Sequence, residues 1–139
     1  MRRLAATLLA VAAACAPLAP PAATSLAGTS WRLVSFRGGD GTLLIPDERA
    51  KYTFAFNADG IFAARIDCNR ARGAWTSSSR NSLQFGAMAI TRAQCEPGSL
   101  HDQIVRQLPF VRSYVIRDGR LFLALMADAG VYELEPAPQ

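Results

Sequence analysis

Apolar and polar residues alternate with a period of two along most of this chain, as half-buried β-strands require. Thr29-Ser30-Trp31-Arg32-Leu33-Val34-Ser35-Phe36 predicts a first strand, and Arg37-Gly38-Gly39-Asp40-Gly41 ends it in a loop. Tyr52-Thr53-Phe54-Ala55-Phe56 places three aromatics on one face. Asn57-Ala58-Asp59-Gly60 then turns the chain into Ile61–Ile66, a predicted hairpin with a Gly-closed turn. A short strand is predicted through Ala74-Trp75-Thr76, a polar tip at Ser77–Asn81, a return through Ser82–Phe85, and a separate strand from Met88 to Arg92. Val111–Arg117 and Leu121–Met126 flank Asp118-Gly119, a two-residue turn of the I′ kind. Asp128-Ala129-Gly130 leads into a last strand, Val131–Glu135.

The period changes once. Ser99 is a suitable N-cap, Asp102 stands three residues on, and Leu100, Ile104, Val105 and Leu108 share a helical face that Pro109 terminates. The chain therefore predicts about eight or nine short strands and one short helix. An antiparallel sheet closed into a barrel or folded as a sandwich hides the edges of so small a β body, with the helix on one end or flank.

The first residues follow another pattern. Met1-Arg2-Arg3 is a positive start, and in the eleven residues from Leu4 to Ala14 only Thr7 is polar. A bilayer core needs about 20 apolar residues, so residues 1–14 read as a secretory signal. Val11-Ala12-Ala13-Ala14-Cys15 resembles the bacterial lipobox, with Ala12 where Leu is preferred. Cys15 is then the expected lipidation site, and ordinary cleavage to a soluble periplasmic or secreted protein is the alternative. Residues 15–25, with Pro17, Pro20 and Pro21, read as a stiff Ala/Pro-rich tether. Residues 26–136 form the folded domain. Ala16 is not the Asp of an inner-membrane retention signal, so the expected location is the outer membrane, facing the periplasm.

Processing also changes the charge. The 139 residues carry 15 basic and 11 acidic side chains, a formal +4. Loss of Arg2 and Arg3 leaves 13 basic residues against 11 acidic ones, or +2. The cluster Arg65, Arg70, Arg72 and Arg80 lacks the interleaved aromatics of a nucleic-acid reader, and no nucleic-acid partner is expected. Three cysteines are an odd number. Cys15 takes the lipid, and Cys68 and Cys95 are expected to pair in an oxidising envelope. A metal site from Cys68, Cys95 and His101 lacks a fourth ligand and a C-x-x-C pair.

Catalytic candidates are sparse. His101, the only histidine, is expected as a partly exposed residue on a helix face. Glu133 and Glu135 share one face of what reads as a terminal edge strand, where charge guards against aggregation. Asp67, Arg65 and Arg70 read as a surface ion pair flanking Cys68. Trp31, Phe54, Phe56, Trp75 and Phe122 either line a ligand pocket or fill a barrel, and the domain size favours filling. Phosphate-loop and dinucleotide glycine patterns are absent. No enzyme activity, metal or cofactor is expected.

Several segments resemble the META domain, the family of HslJ-like heat-inducible envelope proteins. Gly28-Thr29-Ser30-Trp31-Arg32-Leu33-Val34-Ser35 is similar to its opening strand. Tyr52–Asn57 with Asp59-Gly60 is similar to its second strand and turn. Cys68-Asn69-Arg70 with Gly73 and Trp75 resembles its central Cys-Asn motif, and Thr91-Arg92-Ala93-Gln94-Cys95 its second Cys-bearing segment. Asp67 stands where the family tends to have Gly, and Ala93-Gln94 replaces a Met-rich pair. The resemblance implies a mainly β, antiparallel barrel-like domain of lipocalin topology with about eight strands and one short α-helix. It implies a structural Cys68–Cys95 pair, with Asn69 and Gly73 as turn residues, and no catalytic mechanism. The implied role is a non-enzymatic envelope lipoprotein in stress or antibiotic tolerance, acting through protein or envelope contacts. A barrel for a small apolar ligand, or an inhibitor of a secreted hydrolase such as a lysozyme, are the alternatives.

Overall fold

The computed structural model describes residues 25–138. Nine strands form one antiparallel sheet: β1 (Thr29–Gly38), β2 (Leu43–Leu44), β3 (Tyr52–Phe56), β4 (Ile61–Ile66), β5 (Asn69–Thr76), β6 (Gln84–Ile90), β7 (Val111–Arg117), β8 (Arg120–Leu125) and β9 (Gly130–Pro136). The one α-helix among the described residues, α1 (His101–Gln107), continues into a 3-10 turn at Leu108–Phe110. The expected signal, tether and Cys15 lipidation site fall outside the described residues, apart from Ser25 at the end of the tether.

The strands lie in the order β6-β5-β4-β3-β1-β9-β8-β7, with the two-residue β2 also paired to β1. The sheet is an up-and-down meander that curls on itself, and β1 joins first to last by pairing with β9. Its two edges, β6 and β7, approach each other without forming a ladder. Near one end the segment before β6 bridges the gap: Ser82 pairs with Ser113, and Leu83 N–H donates to Arg112 O at 2.9 Å. At the other end the gap between β6 and β7 is occupied by the α1 segment. The result is a curled half-barrel with a helix in its open side.

Alternation makes the core. Tyr52, Phe54 and Phe56 of β3, Phe62, Ala64 and Ile66 of β4, Leu121, Leu123 and Leu125 of β8, and Tyr132 and Leu134 of β9 all turn inward and are buried. The rings fill the interior. Phe62 lies 5.5 Å from Phe54, 5.3 Å from Phe56 and 4.5 Å from Phe85, centroid to centroid. Trp75 meets the edge of Phe56 at 5.5 Å. Trp31, 5% exposed, is held by a 2.8 Å bond from its Nε1 to Thr29 Oγ1. Such pairs add to the apolar burial of each ring. Phe122 departs from the expectation. It faces outward, under the Arg117 guanidinium at 5.0 Å.

Two element assignments are corrected. β5 starts at Asn69, not near Ala74, so Asn69 and Gly73 are strand residues, not turn residues. β6 is one continuous strand through Gly86 and Ala87, where two strands were expected. Small residues there weakened the apolar alternation, and the strand persists because it carries a bulge: Gly73 pairs with Met88, but Trp75 pairs with Phe85. Gly73 sits against that bulge, and a Cβ there would come within 2.6 Å of Ala87 O. The hairpin turn at Asp118-Gly119 is as expected, both residues at positive φ (52° and 72°).

Candidate functional site

Asn69 organises the region around the two cysteines. As the first residue of β5 it faces inward and is fully buried, so its amide must be satisfied internally. Its Oδ1 accepts from Thr91 Oγ1 and from the Ala93 N–H, both at 2.8 Å. Its Nδ2 donates to Ala93 O at 3.0 Å. One side chain thus stitches segment 91–95 to the head of β5. The Cys68–Cys95 disulfide, Cα–Cα 5.5 Å, ties the same segments beside it. Asn69 Nδ2 lies 3.4 Å from Cys95 Sγ and 3.5 Å from Cys68 Sγ. Cys68 itself is exposed. Asp67 precedes it in the two-residue β4–β5 turn at φ 58°, a left-handed conformation that Gly adopts without strain and Asp tolerates. Arg65 bonds Asp67 through the backbone carbonyl, Nε to O at 3.0 Å, and not through the carboxylate.

Segment 91–100 leads from this clamp to α1, which two tyrosines hold from beneath. Tyr52 OH accepts the Leu100 N–H at 3.0 Å. Tyr132 OH donates to Gln107 Oε1, and burial raises the phenol's pKa above its ordinary value. Ser99 Oγ accepts the His101 N–H at 3.1 Å, but the N-cap is Leu100, one residue later than expected, and it makes no side-chain cap bond. Asp102 turns to His101 Nδ1 at 2.9 Å instead of closing a capping box. His101 is more buried than expected, with a side chain 12% exposed. Its Nε2 is buried and has no hydrogen-bond partner among the described residues.

A groove of about 800 Å³ opens between the end of β6, segment 92–99 and α1. Met88, Ile90 and Val105 supply apolar walls, and Arg92, Glu96, His101 and Asp102 supply polar ones. A volume of this size is within the range of ligand sites, about 300–1,000 Å³. A second groove of about 600 Å³ lies at the opposite end, where Ser25 and Leu26 meet Trp75 and Tyr114. Neither groove is lined by the Phe54, Phe56 and Phe62 rings of the barrel interior. Among the described residues, no three His, Cys, Asp or Glu side chains converge as metal ligands.

Of the residues singled out in the sequence, the fold brings Cys68, Asn69 and Cys95 together. Trp31 and Trp75 lie elsewhere in the barrel, Gly73 faces the β6 bulge, and the side chain of Arg70 is exposed. The glutamates are corrected. β9 is flanked by β1 and β8 and is no edge. Glu135 bonds Arg32 at 2.6 Å and Arg49 at 3.0 Å, and Glu133 bonds Arg120 at 2.5 Å. Burial raises the Glu135 pKa, but the hydrogen bonds and charges of Arg49 and Arg32 outweigh it and hold the carboxyl below its usual range. The groove itself was not anticipated. Its walls come from residues far apart in the pattern, and no local signal in the sequence marks it.

A small curled β-meander with a helix in its open seam and a Cys-Asn clamp defines the class of protein. The META domain profile matches residues 24–137, and the chain belongs to that family. Solved structures share the fold. A protein from Burkholderia xenovorans, determined by NMR, is 20% identical with a TM-score of 0.71, covering 94% of this chain and 96% of that one. A DUF4847 family protein from Bacteroides vulgatus ATCC 8482 is 16% identical with a TM-score of 0.61, covering 82% of this chain and 96% of the other. No curated protein sequence matches this chain.

Proposed function

We propose that this protein is a non-enzymatic envelope lipoprotein, anchored through Cys15 in the outer membrane, that supports stress or antibiotic tolerance through protein contacts. The polarity of the barrel's two ends carries the proposal. The described chain enters at one end, where buried Leu26 and β1's Thr29 meet Phe56. Among the described residues, five of the six exposed large apolar side chains gather at the other, Leu43, Ile45, Phe110, Met126 and Val131, with Val115 on the flank of β7 as the exception. That end also holds α1, the disulfide and the larger groove. A lipid at Cys15 would leave this contact-rich end facing away from the membrane. The disulfide supports an oxidising compartment, since such bonds are rare in the cytosol.

Fractionation of cells expressing the wild type and Cys15→Ala tests the anchor. The wild type is expected in the outer-membrane fraction and Cys15→Ala in the soluble periplasm, whereas unchanged fractionation refutes lipidation. Crosslinking in the envelope from positions 43, 110 and 126 tests the contact. Crosslinks to a defined protein are expected there and not from position 58 at the tether end. An equal yield from both ends would count against a polarised contact surface.

A further inference from the structure

The groove separates α1 from the edge of β6, whose outward backbone groups have no partner across it among the described residues. Thr91 N–H donates to Arg70 O across the β5–β6 ladder at 3.0 Å, and the register continues through Ala71↔Ile90 and Arg72↔Ala89. In an antiparallel ladder the bonding direction alternates residue by residue. The backbone groups of Ala89 therefore face β5, while those of Met88 and Ile90 face away from it. No described residue offers them a backbone partner on that side. The side chains of the same two residues line the groove. The bulge between Phe85 and Met88 and the presence of α1 across the groove are this edge's guards, while Phe85-Gly86-Ala87-Met88-Ala89-Ile90 carries no Lys, Pro or inward-pointing charge.

We propose that this groove binds an extended protein segment that adds to β6 as an antiparallel strand. Side chains opposite Ile90 and Met88 would enter the groove, because paired residues share a face. Both should be apolar and two residues apart, to pack on Met88, Ile90 and Val105. Arg92 lies one further step along and makes no ion pair among the described residues. It selects an acidic side chain two residues before the first apolar one. Glu96 and Asp102 on the facing wall disfavour additional acids in the segment. The occupant is thus a segment of the form acid-x-apolar-x-apolar. The unpartnered Nε2 of His101 is a second sign of an incomplete wall. Strand addition to a sheet edge draws affinity from main-chain bonds and specificity from alternate side-chain pockets.

The proposal deepens the protein-contact function above but does not depend on the lipid. The probe is the peptide acetyl-Glu-Thr-Val-Thr-Val-amide, titrated by NMR into full-length protein in detergent micelles. Expected are saturable shifts of the Met88, Ile90 and His101 amides, absent from Trp75 and Tyr114. N-methylation of the central valine should weaken binding by about tenfold or more, from a lost main-chain bond and a steric block. Ile90→Pro removes the outward-facing N–H together with the Ile90 side chain that walls the groove, and should weaken binding at least as much as N-methylation does. Arg92→Glu should weaken binding about threefold to fivefold, and a probe with Lys in place of Glu should restore it. Absence of shifts at 5 mM peptide (about the weakest affinity worth calling binding), or indifference to N-methylation, overturns the proposal. So does a dimer in sedimentation that Ile90→Pro dissolves, which would assign the edge to a second copy. Failure here with intact Cys15-dependent fractionation removes the groove and leaves the anchor.

Discussion

Where β1 meets β9, a ladder runs from Trp31↔Pro136 to Gly38↔Gly130 with one bulge at Val34, and the cross-strand pair Arg32–Glu135 sits on its outer face. Where β6 faces β7, backbone pairing shrinks to the Ser82↔Ser113 bridge and its neighbours, and a helix, a disulfide and one buried Asn complete the closure. The first junction is held by repetitive backbone bonding and apolar burial, which tolerate substitution on the outside. The second is held by a few specific groups, so single changes there should act locally as well as globally. A seam closed by side chains also leaves space between them, which is where the larger groove lies.

The sharpest way to break the contrast is to damage each seam in turn. Leu134→Ala, in the core beneath β9 and fully buried, should cost about 3–4 kcal/mol by leaving a cavity. Urea unfolding should show it equally with oxidised and reduced protein. Reduction of Cys68–Cys95 should cost about 3.5 kcal/mol for a loop of this length. Hydrogen exchange should rise first in residues 91–100, and a uniform rise across β1 and β9 would contradict a local role.

Asn69→Ala should cost about 2–3 kcal/mol, because it leaves the Ala93 amide and the Thr91 hydroxyl without their acceptor. Its destabilisation should add incompletely to that of reduction, since both act on one segment, and a double-mutant cycle measures the shortfall. Tyr132→Phe removes the bond to Gln107 and should cost about 1 kcal/mol. Faster exchange confined to α1 is expected. The smallest effect belongs to the β1–β9 seam. Glu135→Gln should cost about 0.5 kcal/mol. Because the folded-state pKa of Glu135 is depressed, its contribution is present above the ordinary Glu range and is lost as pH falls through the folded pKa. The stability difference between wild type and Glu135→Gln should therefore vanish in acid.

Much of the barrel was legible residue by residue. β3, β4, β7 and β8 were predicted nearly to their ends because aromatic and aliphatic residues alternate without interruption and the turns carry Gly, Asn or Asp. β6 was divided in two because Gly86 and Ala87 supply almost no apolar contrast. The cysteine pair was legible from counting, whereas the role of Asn69 was not. A polar residue beside a cysteine resembles a turn until the 91–95 segment is placed against it.

The alternation of apolar residues and the odd cysteine determined, without tertiary information, a mainly β domain with one helix and one expected bridge. Those features depend on near neighbours and on chemistry that any fold would have to accommodate. Which strands became edges, that β9 is interior, that Phe122 points outward and that His101 lies in a groove wall were decided only by tertiary structure. Strand order and the closing of a seam depend on contacts between residues tens of positions apart, and no local period records them.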